Sequence, residues 1–318
     1  MRVVIMKNKK NIIYAVIAVV IFIALVALNN LGLLSRQYQG LLVPIGVNIM
    51  LAVSLNLIVG FLGELSLGHA GFMSVGAYAG CLFTVHANLP AAVEMPIAFI
   101  IGGLAAAVFG LIIGIPALRL KGDYLAIVTL GFGEIIRSVF NSLDILGGSG
   151  GLKGIDKSSN YIIAYVLVVI TILVISNLIN SRHGRAVKAI RDNVIAAESV
   201  GVNVVYYKIL AFVLSAFFAG VAGVLYGHNL AILKPATFDF NKSIEILVMV
   251  VLGGMGNIPG SIIAAVILTM LPEVLRFLAD YRMLLYAIAL IAMMLFSSNP
   301  TLVAFRQKIF KKKVEGGK

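Results

Sequence analysis

Charge is what this sequence has least of. Only 12% of its 318 residues are Asp, Glu, Lys or Arg, against about a quarter in soluble proteins. A soluble globule of this length needs a polar surface, and charges so few and so clustered do not supply one. Cysteine is nearly absent: Cys81 is alone inside an apolar segment, which excludes an intrachain disulfide and leaves the redox compartment undetermined. The four histidines, His69, His86, His183 and His228, fall in different segments, so no metal site is expected. Nucleophile-elbow and zinc-protease signatures are missing too. The Gly-rich run LGGSGGLKG at 146–154 fails as a phosphate loop, because Lys153 is neither preceded by Gly nor followed by Ser or Thr. No catalytic residue and no cofactor is expected.

What is present is apolar surface and glycine. The chain is 61% hydrophobic with 32 glycines, and its mean hydropathy is +1.05. This composition predicts an all-α fold, a polytopic transmembrane helix bundle of about ten spans (range 8–11) within a single domain, 1–318. The spans are expected at 11–28, 41–61, 68–87, 95–117, 123–140, 161–180, 208–232, 243–258, 260–279 and 283–298, the third, eighth and tenth being short or interrupted. The first imitates a signal peptide, yet it is of spanning length and has no A-x-A site before Asn29, so it reads as a retained span. Gly76 with Gly80, and Gly110 with Gly114, are spaced for close helix packing.

A net charge of +12 raises nucleic acid as a partner, but the basic residues sit at membrane edges, so no nucleic acid is expected. With the N-terminus inside and ten alternating spans, 17 of the 25 Lys and Arg fall on the cytoplasmic side. They lie near the N-terminus, at Arg119 and Lys121, from Arg182 to Lys208, and in a basic cytoplasmic tail, 304–318, read as a solvated anchor. Both termini are thus expected in the cytoplasm of a cell-membrane protein.

Two interruptions and one span carry polar groups. GFLGELSLGHAGF, 60–72, holds Glu64, Ser66 and His69 among four glycines. Either Glu64 and His69 cap helices at the cytoplasmic boundary, or this backbone lines a pathway. Glu134 and Arg137, three apart on the fifth span, are expected to form a local ion pair near the outer surface. LGGMGNIPGS, 252–261, contains Asn257 and reads as an inter-helix bend rather than a re-entrant turn, since no charge there demands hydration.

The longest polar interruption after the N-terminal third is SRHGRAVKAIRDNVIAAESVG, 181–201. Ala186, Ile190, Val194 and Ala197 recur at helical spacing as a narrow apolar stripe. Lys188 is placed to pair with Asp192, and Gly201 is a suitable stop. The small residues Ala186, Ala189, Ala196 and Ala197 allow another protein to approach closely. Periodicity leaves this open against an ordinary cytoplasmic loop whose charges only fix topology.

Ala196-Ala197-Glu198 followed by Gly201, between two spans, resembles the coupling loop of ABC import permeases, though the Glu-Ala-Ala…Gly pattern of that motif is met only approximately. Further blocks carry a more specific resemblance. Gly63 to Phe72 followed by Val75 to Tyr78, Asp123 to Ile135, Gly147-Gly148-Ser149 with Gly151-Leu152, the 184–201 stretch and Leu252 to Gly260 are similar to blocks of branched-chain amino acid ABC transporter permeases of the LivM type. The resemblance implies a permease subunit working with a second homologous permease subunit, two cytoplasmic ATP-binding subunits and an extracytoplasmic solute-binding protein, all at a lipid membrane. It also implies ATPase-coupling roles for Arg185, Ala186, Ile190, Arg191, Asp192, Ala196, Ala197, Glu198 and Gly201, with the helix from Arg185 to Val200 moving as the ATPases close. Pathway or gating candidates are Glu64, Ser66, His69, Glu134 and Asn257. Relatives import urea or other small polar solutes, so the substrate is less fixed than the machine. The rival of another class is an ion-coupled secondary transporter using Glu64, His69 or Glu134.

Overall fold

The computed structural model describes residues 36–87, 89–117, 120, 122–276, 287–288 and 291. The expected first span, most of the tenth, Arg119, Lys121 and the basic tail lie outside these. Among the described residues every regular element is helical. The helices are α1 (Arg36–Asn56), α2 (His69–Ala87), α3 (Ala91–Ala117), α4 (Asp123–Ser142), α5 (Tyr161–Asn180), α6 (Arg182–Asp192), α7 (Val194–Ser199), α8 (Val204–Leu230), α9 (Phe240–Gly253) and α10 (Ile258–Val274). α1 runs on into one π-helical turn, Leu57–Leu62, which ends where Gly63 turns left-handed and donates its N–H to Ile58 O.

Six stretches are long and apolar enough to cross a bilayer: Gln37–Leu62, His69–Ala87, Ala92–Pro116, Asp123–Ser142, Tyr161–Asn180 and Val204–Leu230. They match the expected second to seventh spans. The eighth span, expected at 243–258 and expected to be short, is α9, displaced to Phe240–Gly253. α9 has 14 residues, so it is about 21 Å long, against a hydrocarbon core of about 30 Å. α10, with 17 residues, falls slightly short as well. Between them Gly254–Asn257 make a tight turn, with Asn257 N donating to Gly254 O at 3.0 Å, so the glycine break at 252–261 is a turn between two helices.

Short polar side chains set the helix starts. Ser181 Oγ accepts from His183 N and Gly184 N to begin α6, Asn193 begins α7, Asn203 begins α8, and Asp239 Oδ1 accepts from Lys242 N to begin α9. Each satisfies a donor that has no partner inside the helix.

α8 is the central pillar, packed along α2 and α3, while α1 packs on α8, α5, α9 and α10. Two side-chain bonds fix the direction of α10 against α1: Asn48 Nδ2 donates to Thr269 Oγ1 at 2.9 Å, and Asn56 Nδ2 donates to Ser261 Oγ at 3.0 Å. The spacing is eight residues on both helices, so they run antiparallel. α4 and α5 lie at the margin, turning Ile127, Ile135, Val166 and Leu173 outward, as a face against lipid or another subunit requires.

The seam between α2 and α8 depends on missing side chains. A Cβ on Gly76 would overlap the Gly220 backbone, because the two helices touch main chain to main chain. Gly114, of the other spaced pair, sees only Phe212 Cβ at 3.8 Å, so that site has room. Gly76→Ala is therefore expected to lower stability by about 1–3 kcal/mol, whereas Gly114→Ala, gaining up to about 1 kcal/mol of helix propensity, should be neutral or stabilising. Thermal unfolding of the purified variants in detergent measures both; equal effects would refute the seam.

Candidate functional site

Two crossings are unwound, and the structure places their breaks side by side. The first break is Gly63–Gly68, before α2. Leu67 N donates to Thr129 Oγ1 of α4 at 3.0 Å, and Ala70 N, in the first turn of α2, donates to Ser243 Oγ of α9 at 3.2 Å. The second break is 231–239, before α9, irregular except for one 3-10 turn at Pro235–Thr237. Leu233 pairs with Leu152 in an antiparallel bridge, and Leu233 O also accepts from Tyr78 Oη at 2.9 Å. Backbone without a helix persists at membrane depth only when it is satisfied in this way.

Depth follows from the contacts. His69 Nε2 lies 2.9 Å from Ser54 Oγ, and Ser54 is eight residues before Leu62, so α2 begins about 12 Å inside the end of the π-turn. Lys242, in the first turn of α9, reaches Asn48 Oδ1 at 3.2 Å, near the middle of α1. Both helices thus start inside the bundle, with their N-terminal ends facing one narrow cleft bordered by Ala70, Glu134, Asp239 and Ser243.

Glu134 and Asp239 line that cleft, and two ion pairs lie on the helices beside it, α4 and α9. Arg137 Nη2 is 2.6 Å from Glu134 Oε2, the pair expected from the i,i+3 spacing. Gly71 and Gly133 are in close approach, which sets the pair level with the start of α2 rather than near the outer surface. Lys242 Nζ is 3.0 Å from Glu245 Oε2. All four side chains are partly exposed at this depth. Behind them Ser215 Oγ donates to Ser54 O at 2.6 Å, and Ser66 Oγ, His69 Nδ1 and Ser74 Oγ are buried with no hydrogen-bond partner among the described residues.

A second polar region lies at the far end of α1. Lys208, buried, and the half-buried Glu64 form an ion pair that ties the first break to α8. Glu64 is thus more than a helix cap, and His69 lies deep in the bundle instead of at its boundary. Asn257 Nδ2 donates to Gly253 O at 3.3 Å, holding the α9–α10 turn. Asn56 Oδ1 accepts from Gly256 N at 2.8 Å, joining that turn to α1.

The 181–201 stretch is helical, but as two helices rather than one. Asn193 is extended, with φ −161° and ψ 110°, and its side chain accepts from Ala196 N to start α7. On α6, Gly184, Val187 and Ile190 face the bundle; on α7 only Ala197 does. Arg185, Asp192, Ala196, Glu198 and Gly201 are exposed and Ala186 is half-buried. Lys188 does not pair with Asp192: its ammonium sits 5.6 Å from the Phe61 ring centroid, and Asp192 Oδ1 instead accepts from Arg191 Nη2 at 3.0 Å. Gly201, with φ +83°, ends α7 and donates to Glu198 O. Ile195 and Val200 are 79% and 77% exposed.

Sequence reasoning missed Lys208, Asn56, Thr129, Ser243 and His228 as structural partners. His228 Nδ1 lies 3.1 Å from Ser158 Oγ and 3.0 Å from Asp156 O, pinning the 144–160 segment to α8. The available signal was the same for all five: a polar side chain buried in an apolar helix, where it needs a partner.

The family described as branched-chain amino acid transport system / permease component matches residues 37–296. The high-affinity branched-chain amino acid transport system permease protein LivM of Escherichia coli (strain K12) is 36% identical over 298 residues, covering 83% of this chain and 69% of that relative. A probable branched-chain amino acid transport permease protein LivM of Methanocaldococcus jannaschii is 26% identical over 202 residues, 59% of each chain. LivH of Escherichia coli (strain K12), a permease protein of the same kind of system, is 31% identical over 132 residues, covering 41% of this chain and 42% of that one. No solved structure matches. With its multi-pass helical architecture and a family match across most of its length, this chain belongs to the permease components of branched-chain amino acid transport systems.

Proposed function

We propose that this protein is a permease subunit of an ATP-driven importer of branched-chain amino acids, forming half of the translocation path and driven by separate cytoplasmic ATPase subunits. The observation that carries this reading is α7. It is a six-residue helix between two long crossings, and Ile195 and Val200 stand out from it into solvent. Water disfavours such an apolar knob, and a protein cleft accommodates it. Ala197 and Ile190 work from the inside, packing the handle on the bundle, while Arg185, Ala196, Glu198 and Gly201 lie on its outer side. The sequence has no phosphate loop, so the reading places ATP hydrolysis, and all catalysis, in the partners.

In this reading 1–318 is one transmembrane domain of ten crossings with both termini in the cytoplasm. The described crossings alternate in a way that puts α6 and α7 on the side richest in Lys and Arg, in keeping with the charge rule. The path runs along the face bearing Glu134, Arg137, Lys242 and Glu245. A lone charge in mid-bilayer costs about 2.5–3.5 kcal/mol, so this face is turned toward water and a second, homologous permease subunit rather than lipid. Ser66 and His69 lie behind the face, Glu64 holds the first of the breaks that shape it, and Asn257 holds the α9–α10 turn. The segment 144–160, anchored to 231–239 by the Leu152–Leu233 bridge, forms the surface offered to an extracytoplasmic binding protein. An ion-coupled carrier is disfavoured because Glu64 and Glu134, two of its three candidate sites, are held in ion pairs.

Three outcomes are expected. Ile195→Glu combined with Val200→Glu should strip the ATPase subunits from the purified complex while the permease stays in the membrane; undiminished co-purification would remove α7 from the docking role. In proteoliposomes containing the whole importer, Leu uptake should be inhibited by Ile and Val and require ATP; competition by urea alone would reassign the substrate. Glu64→Gln leaves the buried Lys208 ammonium without its counter-charge, which costs about 3–5 kcal/mol, and adding Lys208→Met should recover most of it. Unfolding midpoints of the single and double variants decide that point.

A further inference from the structure

The π-turn Leu57–Leu62 has α6 on one side and the α9–α10 turn on the other. A π-turn holds one residue more than the α-helix around it and is frequently found at functional sites. All six of its residues are buried, and it is held on every side by specific contacts. From α6, Arg191 Nη1 donates to Gly60 O at 3.2 Å and Lys188 stacks over Phe61. Arg191 is itself aimed by Asp192, whose Oδ1 accepts from Nε at 3.2 Å and Nη2 at 3.0 Å. On the other side, a Cβ on Gly60 would overlap Asn56 Oδ1 and the Gly256 backbone. Asn56 continues the chain of bonds, accepting from Gly256 N and donating to Ser261 Oγ. Next along the chain, Gly63 lies against the Arg191 side chain and Glu64 pairs with Lys208 of α8.

We propose that Arg191 is the positioning residue through which movement of the handle reaches the path: it grips the π-turn, and the π-turn passes the displacement to both unwound crossings. The division of labour follows from the break at Asn193. α7, outside the break, presents Ile195 and Val200 to a partner. α6, inside the break, is tied to the bundle and transmits. A shift of Gly60 pulls directly on 63–68, the unwound lead into α2, and through Asn56 on the turn that ends α9. The two helices that meet at the mid-depth cleft are thereby moved by one contact. This inference rests on the importer reading proposed above.

The test uses the complete importer, with both permease subunits, the ATPases and the binding protein in proteoliposomes. For Arg191→Ala, the ATPases should still co-purify and hydrolyse ATP within about twofold of wild type, while substrate taken up per ATP falls at least tenfold. Arg191→Lys, which keeps a cation and a donor directed at Gly60 O, should restore a substantial part of that ratio, a rescue that a loss of folding would not show. Unchanged uptake per ATP in Arg191→Ala overturns the proposal. Loss of the ATPases from both variants also overturns it, by making Arg191 a docking contact. A wild-type complex that takes up substrate without any ATPase would sink the importer reading itself, a result readily told apart from either of these.

Discussion

Hydrocarbon cannot hydrogen-bond a peptide group, and this fold is arranged around the two places where it breaks its helices regardless. Each break needs partners for the N–H groups it frees. Thr129 and Ser243, from two other helices, supply them to Leu67 and Ala70, and Leu152 pairs with Leu233. α4 and α9 are therefore held against the start of α2 by polar bonds as well as by packing. The cleft between them exists because the broken backbone had to be covered there.

The rest of the bundle is held by closeness. In lipid no hydrophobic force draws apolar helices together, so contact between small residues and dispersion must serve. The Gly76–Gly220 contact brings two backbones together, and Gly102 O lies equally close to the Gly220 position, so α2, α3 and α8 meet almost main chain to main chain. Such a core is stiff. The π-turn, the two unwound segments and the marginal helices α4 and α5 lie outside this glycine-packed seam.

The sequence made the crossings legible because apolar runs of spanning length are its strongest signal, and the expected second to seventh spans fall on helices. Tyr161–Asn180 even begins and ends where expected. Asp123 to Ser142 was equally clear, as were the i,i+3 partners Glu134 and Arg137. What remained hidden is long-range. Nothing in GELSLGHAGF says that Glu64 meets Lys208, 144 residues away, or that His69 lies against Ser54. The single coupling helix was expected because Ala186, Ile190, Val194 and Ala197 keep helical spacing through Asn193. That periodicity survives a break of one residue, whereas an Asn side chain capping Ala196 N is the competing local signal. The eighth span was expected to be short; what was hidden is its start, because the Asp239 side chain, accepting from Lys242 N, begins α9 at Phe240, three residues before the expected 243.

The charges on the mid-depth face fit the proposed cargo in a specific way. Glu134 with Arg137, and Lys242 with Glu245, are internally neutral pairs, so the face carries polarity without a net field. A branched-chain amino acid is itself a zwitterion, with two opposite charges a few ångströms apart and an apolar side chain. A face of paired charges solvates both ends of such a molecule, whereas an unpaired carboxylate would hold the ammonium and raise the barrier to leaving. Transit needs binding weak enough to release. The positive N-terminal ends of α2 and α9 add carboxylate-facing dipoles, and the Glu134 and Asp239 carboxylates bordering the same cleft offset them. In the importer proposed above, such a face would make the membrane subunit an even, polar passage and leave discrimination between one apolar side chain and another to the proposed binding protein.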